Sequence, residues 1–426
     1  MTKRVGIIAH NIRQSKPRGV ARVGRAFTEQ LAAAGAFEAY AISAPVYDNG
    51  EIMVEHFDLA DYLSNVPLDL TPYGGLTAVG AGALAHLSGQ VAHHASLIGR
   101  TLGRQRAGGG GSPGPYEAKC RKLGFTPLRS FDVVVSFEAF EDIWDWPVET
   151  LPTQVIGLLH DAIPLRIAEG RNGNPEHFLR AVSKFILRAD HVICNSDSTE
   201  CDAHAFFPAS QGKTSVIHLG HFPSGVQAHG QNRNDPSRPI VISMLGDMDR
   251  RKNLQTALRS LAYLKQAMGG REIILEIIGN SGQKQDFRLL EAEASRHATI
   301  HWLGYLPDHE RSERLAAADI FLFPSLWEGF GIPVLEAMSS GVIVVTTRLS
   351  SLPEVGGPYA YYIDDPYDPR NIADAVAEAL RASPEETSAR IAAGRAWAEQ
   401  FSWENAGRKL VELVALIGVK GKAETR

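Results

Sequence analysis

The sequence predicts an α/β protein built from two doubly wound parallel-sheet domains facing each other across a cleft. Three observations predict it. Short, continuously apolar, β-branched runs alternate with longer helical patterns, as in parallel sheets covered on both faces. The alternation occurs twice. A polar, Asn/Asp/Pro-rich stretch, Ala228 to Arg238 (AHGQNRNDPSR), separates the two sets and reads as an interdomain linker.

In the first set, Val5 to Ala9 reads as a buried strand, followed by a helical pattern carrying Ala26, Phe27, Leu31 and Ala32. Asp132–Ser136, Gln154–Leu159, Val192–Cys194 and Ser215–His218 are further strands. In the second set come strand Ile240–Leu245, helix Leu254–Met268, strand Ile273–Ile278, a helix near Phe287–Ser295 and strand Thr299–Leu303. Helix Glu310–Ala318 and the strands Ile320–Phe323 and Val342–Val345 follow. The first domain is expected over residues 1–227, with an insertion at about 60–128, and the second over 239–402. Within the insertion, Tyr73 to Arg106 is rich in Ala, Gly and His, and Ala107 to Pro115 (AGGGGSPGP) is low complexity. Gly80 to Ala85 matches a dinucleotide-binding string, but no strand precedes it and no acidic partner follows, so it reads as a chance match. Gly279 to Gly282 does follow a strand yet lacks the Gly-Lys-Ser/Thr end of a phosphate loop.

Composition narrows the function. The 426 residues hold 43 Lys and Arg against 48 Asp and Glu, a net charge of −5 that gives no reason to expect a nucleic-acid partner. That length carries two or three domains and a sizeable core. Three cysteines, Cys120, Cys194 and Cys201, form neither a disulfide framework nor a metal-ligand spacing and suit a reducing cytoplasm. The apolar run at Val5–Ala9 is too short for a signal peptide, and no stretch approaches the ~20 apolar residues of a membrane span.

The stretch that carries chemistry is PSLWEGFGIPVLEAMSSG, Pro324 to Gly341. It begins at the carboxyl end of a strand, the edge that faces the ligand crevice in open parallel sheets. Gly329 and Gly331 permit close approach of a ligand to the main chain, and Pro333 and Gly341 suit the first helical position and the position past the last. The short helix Pro333–Ser340 would aim its N-terminal amides at an anion. A carboxylate beside a phosphate would repel it, unless the carboxylate meets hydroxyls instead. Glu328 in the turn and Glu336 in the helix therefore read as partners of sugar hydroxyls flanking a diphosphate, against the plain alternative of a strand, a turn and a helix start.

FPSLWEGFGIPVLEAMSSGVIVVTT closely resembles the signature of the retaining GT-B glycosyltransferases of the family 4 type, the group 1 glycosyltransferases. Their paired-glutamate motif is matched by Glu328 and Glu336, with seven residues between them. Gly246–Asn253 (GDMDRRKN), His301–Pro307 (HWLGYLP), Leu352–Val355 (LPEV), His160–Pro164 (HDAIP) and Asn195-Ser196 match further motifs in order. The likeness covers nearly all of 239–410, only scattered motifs before it, and none of Leu59 to Leu128.

The resemblance implies a GT-B fold of two Rossmann-like domains, with residues 403–426 as a helix crossing back to the first. It also implies roles. Glu328 would contact the donor sugar and Glu336 the ribose; Gly329, Phe330 and Gly331 would line the sugar through their amides. Lys252, with Arg251, would bind the diphosphate, and Gly246 would lie beside them. Tyr305 and Leu306 would flank the base. His160 would sit across the cleft by the reacting sugar, its plain alternative being a hydrogen-bonded strand-end histidine. Gly19, in the turn before the first helix, would let the first domain approach the phosphates. Glu328, His160 and Lys252 would be the catalytic set. One departure is Asp247, which with Met248 and Asp249 spells Asp-x-Asp, a metal motif of a different glycosyltransferase fold. With Arg250, Arg251 and Lys252 adjacent, Asp247 is expected to pair with one of these cations, and no metal or other cofactor is expected.

The implied protein is a cytoplasmic retaining hexosyltransferase, acting on a nucleotide-sugar donor and a glycan or lipid-linked acceptor, with mannose from GDP-mannose favoured. Contact with the inner face of a membrane, through the acceptor or the 73–106 segment, is compatible with the sequence. The rival readings are a hydrolysing epimerase of GT-B fold and a catalytically inactive sugar-nucleotide-binding protein.

Overall fold

The computed structural model describes residues 2–8, 19–48, 51–65, 122–140, 154–167, 174–223, 225–226, 235, 237–247, 249–279 and 287–420. Residues 66–121, which hold most of the expected insertion, lie outside them, as do most of the linker, Met248 and the 280–282 part of the glycine string.

The first domain is laid out as β1 Arg4–Ile8, α1 Gly19–Ala34, β2 Glu38–Asp48, β3 Glu51–Asp58, α2 Leu59–Asn65, β4 Lys122–Pro127, β5 Val133–Ser136 and β6 Gln154–Leu159. After these come α3 Ile163–Arg166, α4 Pro175–Arg188, β7 His191–Cys194, α5 Asp197–Phe206 and β8 Thr214–Val216. Its sheet runs β4-β3-β2-β1-β5-β6-β7-β8. The strands read from the sequence form the parallel part, and their continuous burial explains their unbroken apolar runs: all four residues of β5 are buried, as are five of the six in β6.

The other edge was not foreseen. β2, β3 and β4 form an antiparallel extension, with Asp48 paired to Glu51. In the sequence an Asn-Gly dipeptide separates these two residues, a hairpin signal between two β-rich runs that was legible. Gly19, expected in a turn, is instead the first residue of α1.

The second domain comprises β9 Ile240–Leu245, α6 Leu254–Ala267, β10 Ile273–Ile278, α7 Arg288–Ala294, β11 Thr299–Gly304, α8 Asp308–Ala317 and β12 Ile320–Phe323. It continues through α9 Ile332–Ser340, β13 Ile343–Thr347, α10 Leu352–Gly356, β14 Tyr361–Ile363, α11 Pro369–Arg381 and α12 Pro384–Ala398. All its strand pairings are parallel, in the order β11-β10-β9-β12-β13-β14. α6 shows why the pattern was readable: Leu254, Ala257, Leu258, Leu261 and Leu264 make one buried stripe. Pro333 occupies the second helical position of α9 rather than the first, because Ile332 opens the helix; Gly341 closes it.

The final helix, α13 Trp403–Lys420, returns to the first domain and packs on α1. Trp403 meets Phe27 edge-on at 5.5 Å, and Leu410 and Val414 are fully buried. No helix among the described residues is long and apolar enough to cross a membrane.

Candidate functional site

In the second sheet the strand order reverses between β9 and β12, which lie side by side. At such a switch point the loops leaving the carboxyl ends diverge and open a crevice. The two loops here are Gly246–Lys252, after β9, and Pro324–Gly331, after β12, so the topology brings together the two motifs singled out in the sequence.

The first loop is built to bury a cation. Asp249 caps the single 3-10 turn Arg250–Lys252 by accepting from the Lys252 amide. Asn253 then takes a left-handed conformation (φ 55°) and is held by its donation to the Pro366 carbonyl at 2.7 Å. The turn sends the Lys252 side chain back beneath Gly246, whose φ of 130° suits glycine and where a Cβ would stand 2.9 Å from Lys252 Cε. The ammonium lies 4.2 Å from the Phe323 ring centre, and the Lys252 side chain is only 8% exposed.

Glu328 closes the cluster. Its carboxylate sits 2.7 Å from Lys252 Nζ and 2.6 Å from Arg251 Nη1, and it is 11% exposed. Burial works to raise its pKa, but the two adjacent cations more than reverse that and hold it below the usual carboxylate range. Burial lowers the Lys252 pKa, with the neighbouring Arg251 charge acting in the same direction and Glu328 opposing. Arg251 also donates to the Trp327 carbonyl at 3.1 Å, while its own carbonyl accepts from Leu326 N, so the two loops are stitched together. The sequence reads Glu328 as a turn carboxylate that meets sugar hydroxyls; the structure also makes it the centre of a buried ion cluster. A second correction concerns the acidic partner: Asp249 lies 3.7 Å from Arg251, whereas Asp247 is exposed.

The turn after Glu328 has its carbonyls occupied and its amides open. Ser351 Oγ lies 3.0 Å from Glu328 O and 2.8 Å from Phe330 O, and Gly329 O accepts from Ser196 Oγ of the first domain at 2.7 Å. Glu328 N donates to Ser350 Oγ. No described residue accepts from the amides of Gly329, Phe330 and Gly331. The Phe330 ring itself is buried against His218 and Phe401, at centroid distances of 5.8 and 6.0 Å.

One turn into α9, Glu336 is 10% exposed and 3.6 Å from Arg311 Nη2 of α8. Burial pushes its carboxyl up, with Arg311 and then Arg22 of α1 opposing. Tyr305, 58% exposed, and the half-buried Leu306 lie between β11 and α8, on the same edge of the sheet.

Across the cleft, His160 directly follows β6 and its Nε2 donates to the Phe137 carbonyl at 2.8 Å, the tautomer a carbonyl partner requires. Burial lowers its pKa, so the ring is neutral at pH 7. The hydrogen bond is the strand-end role; its other role rests on position, because His160 lines a cavity of about 340 Å³ together with Glu138, Phe140, Asp161, Phe178 and Arg251. The first domain's histidine and the second domain's cation thus line the same cavity. The structure thus brings Glu328, Arg251, Lys252, Gly246 and the 329–331 turn into one cluster, with His160 opposite. Gly19 is described through its backbone alone.

Sequence reasoning missed Arg311, Arg22, Ser350 and Ser351, and it read Asp161 only as part of the His160–Pro164 motif, where its carboxylate accepts from the Ile163 amide at 2.9 Å. Arg311 carried a faint signal, as a cation on the face of α8 next to the Glu336 helix; the serines had none, because their partners are more than 20 residues away.

Residues 227–397 match the family model described as glycosyl transferases group 1. The chain is 37% identical over 178 residues to O-antigen chain mannosyltransferase B of Escherichia coli, covering 41% of this chain and 45% of that protein. It is 33% identical to an MMP alpha-(1->4)-mannosyltransferase of Mycolicibacterium hassiacum, covering 42% of each. Among these curated relatives, the chain thus spans less than half of either protein's length. Sucrose-phosphate synthase from Thermosynechococcus elongatus superposes with a TM-score of 0.64 over 98% of this chain and 99% of that one, at 17% identity. Anabaena HepE, in complex with UDP-glucose, gives 0.58 over 98% and 100%, at 15% identity. The chain therefore has the GT-B fold, and its second domain matches the group 1 glycosyl transferases.

Proposed function

We propose that the protein is a retaining glycosyltransferase of the family 4 type that moves a hexose, with mannose from GDP-mannose favoured, onto a glycan or lipid-linked acceptor. The observation that carries this reading is the buried Arg251–Glu328–Lys252 cluster at the switch point of the second sheet, facing His160 across the cleft. The choice of mannose is supported by two relatives, both named as mannosyltransferases.

In this reading a diphosphate entering beside Lys252 competes with Glu328 for the two cations, and Glu328 turns to the sugar hydroxyls. The open amides of Gly329 to Gly331 line the sugar, Glu336 holds the ribose, and Tyr305 and Leu306 flank the base. As the bond between the anomeric carbon and the diphosphate oxygen breaks, Arg251 and Lys252 stabilise the charge growing on that oxygen. The acceptor hydroxyl attacks from the same face, and its proton passes to the departing phosphate oxygen. Two buried cations can do the electrostatic work of a metal, so the reaction proceeds without one.

The test is GDP release from GDP-mannose, with and without acceptor saccharides and with and without EDTA, the anomeric configuration of the product being read by NMR. Acceptor-dependent release that survives EDTA and keeps the α configuration supports the reading. Binding of GDP-mannose without turnover with any acceptor overturns it in favour of an inactive binding protein.

A further inference from the structure

The first domain's helix α5 begins against the second domain. Its first two residues, Asp197 and Ser198, donate their backbone N–H groups to Glu354, at 2.8 Å to Oε2 and 2.9 Å to Oε1. Both oxygens of one carboxylate, carried on α10, thus serve two of the amides that a helix start leaves unpaired. A charged acceptor at a helix N-terminus makes the stronger kind of hydrogen bond. His218 Nε2, 3.2 Å from Glu354 Oε2, closes the arrangement. Ligand atoms of Asp197, His218 and Glu354 lie within 4.8 Å of one another, but the oxygens of Glu354 are already committed to the helix amides, so the trio is a cap rather than a cation site.

The same short segment also holds the donor-site turn. Ser350 Oγ accepts from Glu328 N, and Ser351 Oγ contacts the carbonyls of Glu328 and Phe330. Ser350 to Glu354 is therefore a five-residue bridge, fixed at one end to Glu328 and at the other to α5. From the α5 side, Ser196 and Thr199 reach the Gly329 carbonyl at 2.7 and 3.2 Å. Gly329 itself lies on the His160 carbonyl so closely that a Cβ would stand 2.3 Å from that oxygen.

We propose that Glu354 is a positioning residue: a carboxylate latch that fixes the second domain to the N-terminus of α5 and thereby sets the Glu328–Gly331 turn in register with His160. The inference deepens the proposed donor-site reading, but the latch can be measured without turnover. Glu354 touches neither the cluster nor the cavity; it acts through the bridge. Ionic capping of this kind is reversible, so it suits a closure that must open for each exchange of substrate and product.

The experiment compares wild type with Glu354→Ala, Glu354→Gln and Glu354→Asp. Hydrogen exchange is read at the Asp197 and Ser198 amides. Interdomain distances are read by pulsed electron resonance between spin labels on Leu187→Cys and Leu289→Cys, both exposed, in a Cys120→Ser, Cys201→Ser background that keeps the buried Cys194. GDP is the binding probe, and kcat and KM are measured with GDP-mannose. In Glu354→Ala we expect exchange at these two amides to rise at least ~10-fold, the scale of a lost charge-assisted bond, and the distance distribution to broaden. GDP affinity should stay within about 3-fold, because the diphosphate cations are untouched, while kcat falls about 10-fold. Glu354→Gln, which keeps the shape but loses the charge, should do the same in weaker form, and Glu354→Asp should restore part of the protection. Exchange and distances equal to wild type in both Glu354→Ala and Glu354→Gln would overturn the latch. Altered exchange and distances in a protein whose wild type does not bind GDP would uphold the latch and defeat the donor-site reading instead.

Discussion

Lys252 is where charge, burial and backbone geometry meet. Its ammonium is nearly buried, packed on Phe323 and paired with Glu328, and its path exists because Gly246 leaves room for it. Replacing it with alanine should weaken GDP binding about 10- to 100-fold, the range of a charge-assisted phosphate contact of ~1.5–3 kcal/mol; unchanged calorimetric affinity would remove Lys252 from the diphosphate site. Glu328 holds two buried cations in this structure, and in the proposed function it also meets the donor sugar. Glu328→Gln keeps the shape but leaves two buried cations without their common anion. Breaking a buried pair costs up to ~3–5 kcal/mol, moderated here by Asp249, 3.7 Å from Arg251. We therefore expect a lower urea midpoint as well as transfer reduced at least ~10-fold. A variant with wild-type stability and wild-type transfer would show that the cluster matters to neither.

At the scale of elements, the site is an agreement between loops. The loop after β9 supplies cations, the turn after β12 the carboxylate, the segment from Ser350 to Glu354 the clamps, and α5 the counterpart in the other domain. Gly329 is the point where the turn after β12 meets the first domain, accepting from Ser196 and Thr199 and lying against the His160 carbonyl. A methyl group there meets the backbone oxygen of His160, which no side-chain rotation can relieve. Gly329→Ala should therefore separate the domains locally. We expect faster hydrogen exchange at Asp197 and Ser198 and turnover reduced by ~100-fold or more, as expected of a misplacement near 1 Å. Stability should fall less than for a core truncation, since neither sheet is disturbed; wild-type turnover would show that this approach is not part of the working geometry.

For the whole molecule, pH dependence follows from burial. His160, His191 and His221 all have pKa values lowered first by desolvation. Below about pH 6.5 the unfolded chain takes up protons that the folded one refuses, so stability falls as pH drops from 6.5 toward the folded values. Glu328, with its depressed pKa, adds stability above its unfolded value of 4.5 that is lost as pH falls through the folded value. Glu336, with its raised pKa, acts in the opposite sense: its contribution is present below 4.5 and lost as pH rises. The balance is a melting temperature that declines between pH 7 and pH 5.5, with His160→Gln declining less steeply. An identical slope in that variant would assign the acid sensitivity to other groups.

The parallel strands were legible because burial on both faces demands continuous apolar runs, and α6 because a helix with one buried face must repeat its leucines at 3.6 residues. The motif at Glu328 was legible because a strand end followed by glycines and a helix start is a local arrangement. The β2–β3 hairpin carried a local signal too, the Asn-Gly dipeptide at 49–50, but both strands hold polar residues among their apolar ones and do not read as the unbroken apolar runs of the parallel strands. What the sequence by itself determined was most of the parallel strands and the chemistry of the loops at their carboxyl ends. Only the tertiary structure decided that Glu328 is bound by Arg251 and Lys252, that Asp249 rather than Asp247 sits beside them, and that Glu354 caps a helix of the other domain. Those choices depend on which strands lie side by side at the switch point and on how two domains meet. Contacts between residues 76 or 157 positions apart leave no periodic trace along the chain.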